Sequence, residues 1–401
     1  MYLLNRVFNM GVIGKSILVA VGVSWILPLQ AQTGDIEREF SVQPGGRLNI
    51  LSDAGAITVR TWDEPRVRVR VINPEAFDVS FEDAGNEVRV VAEDARGRSR
   101  IRFEAQVPRE FNLELDTGGG AIEIGDINGD VEADTSGGSI IVGRVENGDV
   151  VADTSGGRIE IAEVINGDVS ADTSGGRINI GNVVGDVEAD TSGGTITIGD
   201  VEGNVSADTS GGNIEVGTVT GNVSLDTSGG SIQAGYAGGT MMADTSGGNI
   251  TLAGSARLLI ADTSGGTIRI TRSDGPVQVD TSGGNIFLGP INGYIEADTS
   301  GGSIEAELGE IGPGQDAHIT LDSSGGDIEL RLPANHGATV EARIEVSRRA
   351  RGDYRIYTDF PLTITGQDER EVVGRGDING GGDRIRLSTS NGDIRITRRE
   401  D

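Results

Sequence analysis

The chain contains no cysteine, and its single lysine is Lys15. Two histidines and 4% aromatic residues complete the list of scarce side chains. Without cysteine there is no disulfide framework, no thiolate metal site and no residue to acylate at a processed N-terminus. Lysine and arginine together number 33 beside 62 acidic residues, for a net charge of −29. Such a balance opposes nucleic acid and anionic membrane, since phosphate recognition requires neutralising cations. It favours solubility and cationic or metal-ion partners. Long apolar runs are missing except Ile17 to Leu29, which is short and poorly flanked for a membrane span.

That run belongs to residues 1–31, which read as a secretion signal. Arg6 and Lys15 supply positive charge, and Leu29-Gln30-Ala31 offers a cleavage site before Gln32. An uncleaved anchor is the alternative. Removing Arg6 and Lys15 takes the net charge from −29 to −31. We expect an exported protein, periplasmic, cell-surface or secreted, with no integral span after cleavage.

What is abundant is glycine, 64 residues of it, arranged in a repeat. Asp-Thr-Ser-Gly-Gly begins at Asp134, Asp153, Asp172, Asp190, Asp208, Asp226, Asp244, Asp262, Asp280 and Asp298, with variants at Asp116 and Asp322. The pentapeptide is close to the Asp-Thr-Gly signature of aspartic proteases, but those enzymes use two carboxylates that share one proton. So many copies mark a structural repeat. The interval is 18 residues from Asp172 to Asp298, 19 for the two intervals before it, and 24 before Asp322. Fixed periods of this kind signal a solenoid.

Six residues after each aspartate stands an isoleucine: Ile140, Ile159, Ile178, Ile196, Ile214, Ile232, Ile250, Ile268, Ile286 and Ile304, with Ile122 and Ile328 at the variants. A second apolar residue follows two positions on, as at Val142 or Ile161, and a similar alternation precedes each aspartate, as at Val187 and Ala189. These are strands with one buried face, and helical spacing never occurs. The expected fold is all-β: a single-chain parallel β-helix, or β-solenoid, of about 18-residue coils with irregular β caps. About twelve coils would make a rod roughly 55–60 Å long. The isoleucines form its core ladder, each contributing about 1.5–3 kcal/mol on burial. The aspartates form a turn ladder, each accepting hydrogen bonds from backbone N–H groups two or three residues ahead, while the paired glycines supply positive φ. Carboxylates pointing outward instead would repel by about 1 kcal/mol per neighbour in water, and calcium would relieve this. No calcium nonapeptide is present, and a flat Thr and Ser array suited to ice is not sustained. No cofactor is therefore expected, calcium being the alternative.

The segments are expected as leader 1–31, N-terminal β-rich cap 32–115, regular repeats 116–332 and C-terminal degenerate repeats and cap 333–401. The openings "FSVQPGGRLNI" and "GAITVRTWD", the Ser-Gly-Gly-x-Ile repeats, the exit "SSGGDIELRLP" and the closing "STSNGDIRI" resemble the bacterial family called putative adhesins. That resemblance spans nearly the whole chain after the leader. It implies a β-solenoid at the cell envelope, sometimes linked to surface attachment or envelope stress, with no agreed catalytic residues.

An enzyme is the rival class. Pectin-lyase-like helices carry long loops and substrate-binding cations, whereas the central turns here are short and arginine is sparse between Arg177 and Arg257. Glu307, Glu310 and Asp316, in the one substantial insertion, offer a carboxylate pair for glycoside hydrolysis, but an acidic solvated loop accounts for them. His318 and His336 lack a nucleophile-elbow sequence. Arg351-Gly352-Asp353 and Arg375-Gly376-Asp377 spell an integrin tripeptide, though Gly-Asp is this chain's habitual turn. The preferred reading is a non-catalytic adhesin-like scaffold or binding module whose partner is an envelope protein or surface polymer. A monomer or weak oligomer is expected.

Overall fold

Alternation decides which way each side chain points. In the strand Val131–Thr135, Val131, Ala133 and Thr135 are buried while Glu132 and Asp134 face solvent. The following strand, Ile140–Glu146, buries Ile140, Val142 and Val145. Each strand pairs in parallel with its equivalent one coil later, Val131 opposite Val150 and Ile140 opposite Ile159. The computed structural model describes residues 34–94, 100–348, 353–366 and 370–399; the leader 1–31 lies outside them.

Among the described residues there are strands and no helix. The strands form two long, mostly parallel sheets, which we call the aspartate sheet and the isoleucine sheet after the columns they carry. The chain alternates between them, so each coil contributes one rung to each sheet. One continuous hydrophobic cluster, from Ile36 to Ile396, fills the space between. All the repeat isoleucines lie in it with 0–1% of their surface exposed. The isoleucine-sheet rung bends to bring in a third apolar residue, Val145, Val164 or Val183, also buried. The architecture is therefore all-β and solenoid-like.

The Ser-Gly-Gly corner is held by threonine. Thr135 is fully buried; its hydroxyl donates to the Gly120 carbonyl of the preceding coil (2.8 Å) and accepts from the Gly138 N–H (3.3 Å). The same pair of bonds recurs at Thr209, at 3.0 and 3.3 Å. At the variant coil Ser323 replaces it, and near the C-terminus Thr389 bonds the Gly326 carbonyl at 2.6 Å. The expectation that the aspartate holds this corner is corrected: strand parity turns its carboxylate out of the corner, and the neighbouring hydroxyl takes the N–H instead.

The paired glycines serve stacking and not a left-handed turn. None of the paired glycines has positive φ. The second of each pair is required by stacking, because a Cβ on Gly138, Gly157 or Gly176 would collide with the carbonyl of the equivalent glycine one coil back. The first, such as Gly137 or Gly156, faces open space. Left-handed backbone appears at the opposite corner, where Asn147 and Asn166, at φ +50° and +58°, absorb the extra residue of the two 19-residue coils.

Both ends are interleaved. The first coil, Gly46–Ser52 and Ala56–Trp62, is inserted in parallel between later strands: Glu87–Asp94 and Phe111–Thr117 in one sheet, Arg102–Pro108 and Ile122–Ile124 in the other. Likewise Asp383–Ser390 slides between Ile319–Ser323 and Ala338–Glu345, and Ile394–Arg398 between Ile328–Leu332 and Ile356–Thr358. Antiparallel strands cover the outermost rungs, Phe77–Asp83 on Glu87–Asp94 and Glu371–Ile378 on Ala338–Glu345. Such coverage withholds the parallel ladder from further pairing. Counting the interleaved parallel rungs alone, the rod is about 70 Å long at the usual strand spacing, and the antiparallel covers extend it further.

Candidate functional site

The outer face of the aspartate sheet is built from three parallel columns. In each coil a corner residue, which is Asp or Asn from Asp130 to Asn222, a variable residue and the repeat aspartate follow one another at alternate positions, separated by buried apolar residues such as Val150 and Ala152. In-register pairing then stacks each column along the rod, about 4.7–4.9 Å per step.

The corner column has a structural task. Asp149 Oδ1 accepts from the Asp168 N–H (2.9 Å), Asp168 Oδ1 from the Asp186 N–H (2.8 Å), and Asp186 Oδ1 from the Asn204 N–H (2.7 Å). Asn204 and Asn222 continue the same bond to the next coil at 2.9 Å each. Amide and carboxylate do this equally, so the negative charge at 149, 168 and 186 is not demanded by the corner.

The aspartate column has no such task. It runs in unbroken register from Asp116 through Asp134, Asp153 and Asp172 to Asp298 and Asp322. Among the described residues no hydrogen bond ends on these carboxylates, and at the ends Leu51 and Ser388 fill the same rung. Partial burial, then the like charge of the next aspartate, pushes the Asp134, Asp208, Asp262 and Asp280 carboxyls above their ordinary range. Asp190 is pushed up to about 6 by burial, with Glu188, Asp208 and Asp172 adding to it. The column thus costs the fold electrostatic energy, yet it recurs at every regular coil.

The variable column changes freely between Glu132, Val151, Ser170, Glu188 and Met242. Two shallow grooves flank it. One of about 940 Å³ lies toward the corner column from Asp149 to Met242, and one of about 270 Å³ lies toward the aspartates between Ile260 and Asp322.

The other candidate residues that the structure describes are spread over separate elements. Asp316 is taken up by His318, whose Nδ1 lies 2.9 Å away, while Nε2 meets Glu296 at 3.3 Å and the ring stacks on Tyr294 at 4.7 Å. Burial of the ring opposes its charged form, but the two acidic partners outweigh it and raise the His318 pKa. Glu307 sits on the strand Ile304–Leu308, and the Glu310 N–H donates to Asn292. His336 lies in a separate turn, where burial lowers its pKa. Arg375 and Asp377 are engaged inside an antiparallel ladder, by Glu341 at 2.8 Å and Thr339 at 2.8 Å. Arg351 and Gly352 lie outside the described residues; Asp353 pairs with Arg355 at 2.6 Å. Among the described residues no three His, Cys, Asp or Glu side chains gather as a metal-holding group.

The residue that sequence reasoning missed is the threonine. Its signal was present: it stands two positions after the buried alanine, in phase with the inward side chains, as Ala133 and Thr135 show.

No family model and no curated protein matches the chain. Among solved structures, a "putative cell adhesion protein" from Clostridium sporogenes shares 9% identity over 91% of this chain and 100% of its own, with a TM-score of 0.15. A "putative adhesin" from Parabacteroides distasonis shares 16% identity over 67% of this chain and 98% of its own, at 0.27. A "putative lipid binding protein" from the same organism shares 13% identity over 75% of this chain and 98% of its own, at 0.20. Such scores carry no argument about what this chain binds.

Proposed function

We propose that this chain is an exported, non-catalytic rod, a single-chain parallel β-helix that serves as an adhesin-like scaffold or binding module at the bacterial cell envelope. One observation carries the reading: an outward, in-register row of aspartates that, among the described residues, makes no hydrogen bond and whose members disfavour one another's ionisation, yet recurs at every regular coil. A row of identical weak contacts gains from avidity, because each engaged site raises the effective concentration at the next. The partner is an envelope protein or surface polymer able to meet negative charge, and the rod itself is a monomer or weak oligomer.

The test joins cell fractionation to capture of envelope material by the rod without its leader, alongside a rod whose repeat aspartates are all asparagine. Envelope localisation with capture lost in the asparagine rod supports the reading. A cytoplasmic protein, or hydrolytic turnover abolished by changing one coil, overturns it. Calcium is the second reading, favoured by the mutual repulsion within the column. An unchanged melting temperature in millimolar calcium removes it.

A further inference from the structure

The larger groove is chemically graded along its length, which neither the repeat nor the fold requires. Its first three rungs bring Asp149, Asp168, Asp186 and Glu188 to the surface; its last three bring Asn204, Asn222 and Thr240, with serines on the floor. Among the described residues no basic side chain lines it. Each corner aspartate gives one oxygen to the next coil, and its second oxygen carries no hydrogen bond among the described residues. Because Asn204 and Asn222 make the same corner bond, the charge confined to one half is free for another purpose. At the two ends stand exposed apolar side chains, Val151 at 46% and Met242 at 50%, two of the three large hydrophobic residues most exposed among those described. Between them the serines Ser170, Ser206 and Ser224 keep the floor low. The trough spans six rungs, about 24 Å, the length of roughly seven extended residues.

We propose that this groove docks an extended peptide segment with a basic head and an apolar tail, its basic residues over Asp149 to Glu188 and its apolar residue against Met242. The proposal rests on the reading of the rod as a binding module and names one site on it. Charge complementarity fixes the head, and the thioether of Met242, which adapts to varied apolar partners, fixes the tail. A sugar polymer lacks the branched aliphatic groups that Val151 and Met242 would cover.

The experiment uses the whole chain without its leader and a fluorescent nine-residue peptide with three arginines at one end, serines in the middle and leucine at the other. Binding is read by anisotropy at moderate salt. The variant D149N/D168N/D186N keeps every corner bond and is expected to weaken binding at least tenfold. S206Y fills the trough at mid-length without changing charge and is expected to do the same, and M242S to cost several-fold. E82Q/E202Q/E215Q removes as much charge from exposed positions outside both the groove and the aspartate column and is expected to cost less than twofold. A scrambled peptide of equal composition is expected to bind at least tenfold more weakly. Equal losses from both triple variants, or equal binding of the scrambled peptide, overturns the proposal in favour of unspecific attraction to an acidic rod. Tight binding of a cationic aminoglycan that ignores M242S overturns the peptide assignment. Any of these leaves envelope localisation and capture intact, so the two readings fail separately.

Discussion

Replacing Thr209 by valine isolates the bond that closes a coil. The shape is kept, and the lost hydroxyl is buried, with 1% of the residue exposed. It donates to the Gly194 carbonyl at 3.0 Å and accepts from the Gly212 N–H at 3.3 Å. Valine leaves both backbone groups without that partner, and each orphaned buried group costs about 1–3 kcal/mol. The longer bond to Gly212 places its share at the low end, and the added methyl returns about 0.8 kcal/mol. The net loss is about 1–3 kcal/mol, concentrated at one coil. Repeat arrays open locally, so urea unfolding should be accompanied by native-state hydrogen exchange at Gly212 and Ile214. We expect faster exchange there and at the preceding coil, with distant coils unchanged. Asp208→Asn, one residue away, removes a charge the fold does not use and should leave stability equal or higher. The reasoning is refuted if valine at 209 is neutral, or if asparagine at 208 destabilises as much, because the aspartate would then be the corner's acceptor.

The aspartate column makes stability depend on pH in an uncommon direction. Its raised pKa values mean that the folded state binds more protons than the unfolded one, so stability should rise as pH falls from 7 toward 5, with Asp190 titrating at about 6. Asp63, Asp316 and Glu341 are shifted down by Arg109, His318 and Arg375 and act oppositely, but only as pH falls into and below the ordinary carboxyl range, under this window; within it His318, shifted up, adds to the rise and His336, shifted down by burial, opposes it. A melting temperature that falls steadily over that window would refute the sign. Gly212→Ala should destabilise strongly, since its Cβ would strike the Gly194 carbonyl, whereas Gly211→Ala, whose nearest neighbour stands at 3.6 Å, should be tolerated; circular dichroism melts of the pair decide. Removing residues 383–399 should loosen the C-terminal rungs while leaving exchange protection near Val205–Thr209 unchanged, because that segment pairs with Ile319–Ser323 and Ile328–Leu332, several coils away.

Much of the fold was readable from parity alone. Ile140, Val142 and Ala133 lie where alternation puts them, and "STSNGDIRI" returns as a rung beside Ile328–Leu332. The same parity, carried one residue past Ala133 and two past it, places Asp134 outside and Thr135 inside. Turn chemistry, which favours aspartate as a local acceptor, pulled the reading the other way. Tertiary stacking won, because a buried hydroxyl can serve the adjacent coil as well as its own turn. The interleaved ends left no local mark. Nothing in Gly46–Ser52 says that it will lie between Glu87–Asp94 and Phe111–Thr117, since strand order is a long-range property. The graded groove was equally hidden, because its grading appears only when residues 18 positions apart are lined up in space.

The clasped ends separate how the molecule is sealed from how long it is. Each seal uses strands from its own end of the chain, while the middle coils meet only copies of themselves, register for register. Excising one whole 18-residue unit, such as 190–207, would bring Val187–Thr191-type and Val205–Thr209-type rungs into the contacts they already make, shortening the rod by about 4.8 Å without opening either buckle. Reach is therefore an adjustable property of this architecture, open to change by duplication or loss of single units while the closures stay fixed.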